Sequence, residues 1–473
     1  MKKYDIIAIG SGSSMNIVEP MIEQDPNIRI AVIDKDEPGG ICLTRGCIPS
    51  KIILYPAELV RTIEKAQEFG INADIKKISF QKVMHRMRRL VDKDIRMIRR
   101  GLSESTNIDY YPHTAEFIAP YTLKVNGIEI TASLILLCTG SKITIPPIKG
   151  LDKVRYHTSD SALRMTSLPR RLAIVGGGYI AAELGHFFSS MGSNVTILGR
   201  NPQFLPDEEP EVSALMKREL SNHMTILTNC VVIQVSETKT GNKKIMAKER
   251  ESGKERVILA DELMIAVGRG STSNILHPER AGIDTDGDGW IKVDKFLETS
   301  QPNIWAFGDA TGSYLFKHVA NYESQIVYYN AILKEKIEVD YRTIPHAVFC
   351  YPEIGSVGLR EKEAIEKHGE DNILIGFQKY EDTAKGEAMA SRDYFTKVIV
   401  ELNSRKILGA HIVGPYASLL IQEIINAMNM ADGDYSMITN SMHIHPALSE
   451  VVERAFLSKM SPQDYHSMIG AAH

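Results

Sequence analysis

One local pattern occurs twice in this chain, and that duplication restricts the possible folds more than any other feature. Near the start, the apolar run Tyr4-Asp5-Ile6-Ile7-Ala8-Ile9 ends at Gly10-Ser11-Gly12, and a second run, Ile30-Ala31-Val32-Ile33, ends at Asp34. Far downstream, Leu172-Ala173-Ile174-Val175 runs into Gly176-Gly177-Gly178-Tyr179-Ile180-Ala181, and Val195-Thr196-Ile197-Leu198 ends at Gly199-Arg200. A glycine-rich turn between strand and helix lets backbone N–H groups approach a phosphate at the helix N-terminus. A third piece repeats as well: Leu134-Ile135-Leu136-Leu137-Cys138-Thr139-Gly140 is similar to Leu263-Met264-Ile265-Ala266-Val267-Gly268. Two copies of one nucleotide-binding plan imply two dinucleotides. Continuous apolar strands alternating with helices imply parallel sheets covered on both faces.

The last third has a different texture. Thr396 to Leu402 partly alternates, turns at Asn403-Ser404-Arg405 and returns through Ile407-Leu408-Gly409-Ala410, a hairpin signature. Helices are expected around Leu419 to Met428 and Leu448 to Phe456. In the second, Leu448, Val451, Val452, Ala455 and Phe456 form one apolar stripe. The expected fold is α/β: two Rossmann-like dinucleotide-binding domains plus a C-terminal α+β domain. A length of 473 residues agrees with about three domains. The boundaries expected are 1–150 with 274–345 for the first, 151–273 for the second and 346–473 for the third.

Composition excludes several classes. A formal charge of −4 gives no basic excess for nucleic acid or an anionic membrane, and no apolar run approaches the length of a membrane span. Arg86 to Arg100 is basic and is expected to be the wet face of a helix. Five cysteines in 473 residues do not make a disulfide scaffold, which points to a reducing cytoplasm. Asp284-x-Asp286-x-Asp288-Gly289 resembles the start of a calcium loop, but Lys295 stands where a bidentate Glu is needed. A polar turn is expected there, and no metal site.

Three details sharpen the chemistry. Asp34 is placed to take the ribose hydroxyls of the first nucleotide, although Met15 stands at the third glycine position of that fingerprint. The second copy has Gly199 and Arg200 where an acid would stand. A missing acid beside an arginine suits a 2′-phosphate, so NADPH is expected over NADH. Finally, Gly39-Gly40-Ile41-Cys42-Leu43-Thr44-Arg45-Gly46-Cys47-Ile48-Pro49-Ser50-Lys51 places two cysteines in one short loop. They suit a local disulfide better than zinc, because no second ligand pair lies nearby. Two merely buried cysteines are the remaining alternative.

That segment closely resembles the redox-active disulfide of the class I flavoprotein disulfide oxidoreductases, and the resemblance spans nearly the whole chain. Ile304-Trp305-Ala306-Phe307-Gly308-Asp309, Phe349-x-x-Pro352-Glu353-Ile354-Gly355-x-Val357-Gly358 and His443-Ile444-His445-Pro446-Ala447-Leu448-Ser449-Glu450 match further family motifs in order. The resemblance implies FAD held by Gly10, Gly12, Asp34, Lys51, Thr139, Gly140 and Asp309. It implies NADPH or NADH held by Gly176, Gly178, Tyr179, Ala181, Glu183, Arg200 and Gly268. Cys42 becomes the interchange thiol and Cys47 the charge-transfer thiolate, with Lys51 near the flavin and paired with Glu183. His445, oriented by Glu450, becomes the acid–base group and is supplied by the partner subunit of a homodimer. Pro446 is expected in the first turn of the following helix.

Within the family, the tail from Leu457 has no cysteine pair, which disfavours mercuric and large thioredoxin reductases. Cys-Ile-Pro-Ser-Lys and His-Pro-Ala-Leu-Ser-Glu resemble dihydrolipoamide dehydrogenase, the first expectation, acting on a lipoyl-type dithiol or disulfide. Ala181, Gly199 and Arg200, with Tyr156 to Asp160 and Tyr314 to Asn321, resemble NADPH-dependent reductases of small thiol disulfides (mycothione, glutathione or bis-γ-glutamylcystine). A flavin-binding subunit without turnover is a more remote expectation.

Overall fold

The computed structural model describes residues 1–470. Its first sheet runs Ile108–Tyr111, Ile30–Ile33, Lys2–Ile9, Ile128–Leu137, all parallel, and continues antiparallel through Thr122–Val125 to Ala115–Ala119. Ile304–Ala306 joins it from far along the chain, parallel to Ile128–Leu137. The second sheet is parallel throughout, in the order Thr225–Leu227, Asn194–Leu198, Arg171–Val175, Glu262–Ile265, His157–Thr158.

The repeat seen in the sequence is a repeat in space. Ile9 lies opposite Ile33 on one side and Leu137 on the other; Val175 lies likewise between Leu198 and Ile265. At both turns the backbone of the late strand's end crosses close by. A Cβ on Gly10 would stand 2.0 Å from the Cys138 carbonyl oxygen, and one on Gly176 would stand 2.0 Å from that of Ala266. Both glycines also have positive φ, +104° and +137°, so no other residue fits either position. Cys138 lies just beyond its strand rather than inside it.

The third sheet is antiparallel: Pro345–Val348, Glu353–Gly358, Ile407–Gly414, Phe395–Glu401, Ile373–Lys379, Lys459–Met460. It contains the expected hairpin, with a register shift between Ile399 and Val400. Helices Ala417–Met428 and Ser449–Leu457 pack on it, and the whole stripe from Leu448 to Phe456 is buried. Pro446 does not start that helix. The helix begins at Ser449, and Pro446 sits in the preceding turn behind a cis bond.

Helix Phe80–Glu104 buries Met84, Met87, Val91 and Ile95, leaving its basic residues at the surface. The calcium-like segment is a tight turn: Asp286 Oδ1 accepts the N–H groups of Asp288 (3.0 Å) and Trp290 (2.8 Å).

A buried ion cluster joins the second nucleotide unit to the third sheet. Lys397, on a central strand, is 0% exposed, and its Nζ lies 3.2 Å from Glu209, 2.5 Å from Glu211 and 2.6 Å from Glu361. The three carboxylates are gathered as tightly as metal ligands, and the ammonium group lies among them. Removing one partner of such a set leaves buried charge uncompensated. Lys397→Met is expected to destabilise the fold by about 3–5 kcal/mol, measured by chemical denaturation at neutral pH. The deficit should shrink as the pH falls, because, against the opposing effect of burial, Lys397 holds the Glu211 carboxyl below its usual range, and that stabilisation is lost as Glu211 is protonated. An unchanged denaturation midpoint would refute this account.

Candidate active site

Cys42 lies in the short helix Gly40–Arg45, and Cys47 opens the long helix Cys47–Lys65. The segment enters through Gly39 and Gly40, with φ of +106° and +71°. A Cβ on Gly40 would come within 2.9 Å of the Gly12 Cα. That contact sets the cysteine loop directly on the first glycine turn. Both cysteines are free thiols, Cys42 half-buried and Cys47 exposed. Their environments push them apart. Hydrogen bonding to Cys47 and then burial push the Cys42 thiol up. The hydrogen bond from Cys42, reinforced by Lys51, lowers Cys47 to about 6 against the opposing effect of burial. One thiolate and one thiol therefore coexist near neutral pH.

Lys51, one helical turn beyond Cys47, holds both carboxylate oxygens of Glu183 at 3.0 Å. Glu183 is buried in helix Tyr179–Ser190 of the second nucleotide unit and also accepts the Phe349 N–H at 3.0 Å. The Lys51 ammonium lies 4.3 Å from the Phe349 ring centroid, a cation–π contact that sequence reasoning had not identified.

Both thiols line a cavity of about 650 Å³, within the range of cofactor sites. Gly10, Gly12, Asp34, Thr139, Gly140 and Asp309 line it too. Lys51 is not among the residues lining this cavity. The Thr139 hydroxyl is buried without a hydrogen-bond partner, an acceptor or donor left free for a ligand. Asp34 is fixed by the N–H (2.9 Å) and hydroxyl (2.6 Å) of Ser11. Asp309 accepts from Ser141 at 2.5 Å, and Arg269 Nε donates to the same hydroxyl at 2.6 Å. Ser141 and Arg269 were missed in the sequence, although each directly follows the glycine that ends one copy of the repeated strand. A cavity with a glycine turn, a fixed acid and an unsatisfied hydroxyl suits FAD.

At the second turn, Gly178 caps the helix that begins at Tyr179, and Ala181 is buried beneath it. The Tyr179 ring packs on Phe316 at 6.1 Å. Arg200 is exposed, and its carbonyl accepts from Arg250 at 3.4 Å. Gly268 takes φ +118° where its strand ends.

His445 is not on the cavity wall among the described residues. Its Nδ1 lies 3.0 Å from Glu450, which is buried and also bonded by Arg454 at 3.0 Å. Its side chain is 67% exposed. The neighbouring His443 has its own carboxylate, Glu423, at 2.8 Å.

The thiol asymmetry has a direct consequence. Alkylation of the reduced protein by iodoacetamide should label Cys47 first, with a rate that rises through about pH 6. Lys51→Met should move that midpoint upward, because a cation favouring the thiolate is lost. Equal reactivity of the two thiols at pH 7, followed by mass spectrometry, would contradict the assignment.

Two family models match in succession. Pyridine nucleotide-disulphide oxidoreductase covers residues 4–327, and the dimerisation domain of the same family covers 344–456. The chain is 36% identical over 468 residues to the mycothione reductase of Mycobacterium tuberculosis, covering 97% of this chain and 99% of that one. It is 32% identical over 469 residues to the dihydrolipoyl dehydrogenase of Chlamydia pneumoniae, covering 98% of each. Among solved structures, the Cu(II) complex of the HOCl-induced flavoprotein disulfide reductase RclA from Escherichia coli superposes with a TM-score of 0.85 at 28% identity, covering 97% of this chain and 99% of that one. Paired thiols on a dinucleotide cavity, a second nucleotide fold and full-length similarity converge: the chain belongs to the pyridine nucleotide-disulphide oxidoreductases, enzymes that use FAD and NAD(P)H.

Proposed function

We propose that this enzyme is an NADPH-dependent reductase of a small thiol disulfide, of the mycothione type, rather than a dihydrolipoamide dehydrogenase. The observation that carries this is Gly199-Arg200 at the end of the second nucleotide strand, with no carboxylate to hold the ribose hydroxyls of NADH. The similarity to mycothione reductase supports the same choice. The lipoamide-type reading rests on Cys-Ile-Pro-Ser-Lys and on the similarity to dihydrolipoyl dehydrogenase, and it remains the second reading. Residues 1–150 with 274–345 form the FAD-binding unit, 151–273 the NADPH-binding unit and 346–473 the dimerisation unit. The topology supports this division, since Ile304–Ala306 returns to the first sheet. A reducing cytoplasm suits the pair; among the described residues no helix is long and apolar enough to cross a membrane.

When bound, FAD supplies two-electron transfer from NADPH to the Cys42–Cys47 disulfide. The reduced pair then works on the substrate. Cys42 holds its proton firmly, so it needs a base. His445 of the partner subunit takes that proton, and the Cys42 thiolate attacks one substrate sulfur, breaking the substrate S–S bond. The departing thiolate receives the proton from His445. The Cys47 thiolate then attacks Cys42, expelling the second substrate thiolate, which takes its proton from solvent, and the protein disulfide re-forms. Lys51 steadies the Cys47 thiolate, and Glu183 holds Lys51. Glu450 orients His445.

A homodimer accounts for the distribution of exposed apolar groups. Ile48, Tyr55, Leu59 and Ile63 stand on the outer face of the Cys47 helix, and Met442 and Ile444 are exposed in the segment just before His445. Mixed dimers of His445→Ala and Cys42→Ser chains are expected to recover part of the wild-type rate, because one of their two sites is complete. No recovery, with subunit exchange demonstrated by native mass spectrometry, would place His445 in its own chain's site.

Steady-state turnover with mycothione, glutathione disulfide, bis-γ-glutamylcystine and lipoamide, each with both nicotinamides, tests the substrate. A well-aligned Arg200 contact to the 2′-phosphate gives about a 10- to 100-fold preference in kcat/KM for NADPH. Gly199→Glu combined with Arg200→Ala is expected to reverse it. A Cβ at Gly199 meets its nearest neighbour at 3.4 Å, so the change fits sterically. A tenfold preference of the wild type for NADH would overturn the proposal in favour of the lipoamide type.

A further inference from the structure

Lys317 is the first residue of helix Lys317–Val327, and its side chain enters the cavity that holds Cys42 and Cys47. Its Nζ donates to the Ser13 hydroxyl at 2.7 Å. Ser13 is buried in the first glycine turn, between Gly12 and the helix that begins at Met15, and its hydroxyl also donates to Asn321 at 3.2 Å. Lys317 thus touches the loop whose backbone is built to meet phosphate.

The charges around the cavity leave this lysine free. Lys35 is taken by Asp36 at 2.9 Å, Arg45 by Asp36 at 2.6 Å and Asp160 at 3.3 Å, and Arg269 lies 3.9 Å from Asp309. Lys142 points to Asn274 at 3.3 Å. Arg164 and Lys142 on this wall also have no carboxylate within 4.0 Å among the described residues, but of its lysines and arginines only Lys317 bonds to the glycine turn, and it too has no carboxylate partner. A half-buried ammonium group without an anion is costly to hold unless a ligand supplies one. The first fingerprint itself, Gly10-Ser11-Gly12-Ser13-Ser14-Met15, has no cation. The helix terminus behind it offers only about half a unit charge. A diphosphate brings roughly two negative charges to a wall that already carries Asp34, Asp36, Asp160 and Asp309.

We propose that Lys317 is the counter-cation of the FAD diphosphate, reaching the phosphate loop from a helix some three hundred positions away in sequence. The proposal rests on assigning the first glycine turn to FAD. The test is FAD release on dilution of the holoenzyme, followed by the fluorescence of free FAD. Lys317→Met keeps the apolar stem and removes the charge. It is expected to raise the FAD dissociation constant by about 10- to 100-fold, the worth of one charge-assisted contact, while Lys317→Arg stays close to wild type. Lys317→Gln provides a second neutral side chain should the Met variant fold poorly. Wild-type retention of FAD in both neutral variants overturns the proposal, as does equal loss in Lys317→Arg. A shifted long-wavelength absorbance with FAD affinity unchanged also overturns it, since the lysine would then act on Cys42. A wild-type protein that binds no FAD defeats the underlying assignment instead, so the two failures are distinct.

Discussion

Everything in the two nucleotide units depends on one kind of contact, a backbone carbonyl pressed against a glycine. At Gly10 and again at Gly176, the chain leaving the late parallel strand crosses where a side chain would stand. That crossing brings the ends of the two strands together over the start of a helix. It also gives the turn N–H groups a direction, outward from the carboxyl edge of the sheet, where ligands of open α/β sheets collect. The cysteine loop relies on a different close approach, the backbone of Gly40 packed on the Gly12 Cα. The redox pair is therefore positioned by backbone shape before any side-chain chemistry contributes.

The pair's electrostatics then depend on a residue from another unit. Glu183 belongs to the helix after the second glycine turn, yet it fixes Lys51 beneath Cys47 and accepts the Phe349 N–H from the start of the third sheet. A single buried carboxylate joins the two nucleotide units and the dimerisation unit at the point where thiolate charge is held. Cys47 is lowered first by the hydrogen bond from Cys42 and then by Lys51, against burial and the Glu183 charge, whereas the same hydrogen bond and burial push Cys42 up.

Much of this was legible in the sequence. Periodicity exposed the duplicated strands and the stripe from Leu448 to Phe456, and the basic stretch Arg86 to Arg100, expected as the wet face of a helix, lies within helix Phe80–Glu104. The family resemblance implied that Lys51 pairs with Glu183 and His445 with Glu450, pairs that the structure places in contact. Other features escaped for physical reasons. Lys397 looks like an ordinary lysine in a strand, because the carboxylates that bury it come from distant segments. Pro446 was expected in the first turn of the following helix, but that helix begins only at Ser449. Ser141 and Arg269 form one hydrogen-bonded set with Asp309 only after two short strands, Ser141–Ile143 and Arg269–Ser271, pair antiparallel. No local pattern announces that pairing.

The Lys397 cluster also bears on how such a chain can be recombined. Glu209 and Glu211 come from the second nucleotide unit, whereas Lys397 and Glu361 come from the unit after it. A chimera exchanging the second nucleotide unit with that of a relative divides this set between two parents. Unless both carry matching charges, the graft places unbalanced ions in a dry interior. The units look modular in topology, but they inherit this contact together, and a crossover point drawn by strand order alone falls through the middle of it.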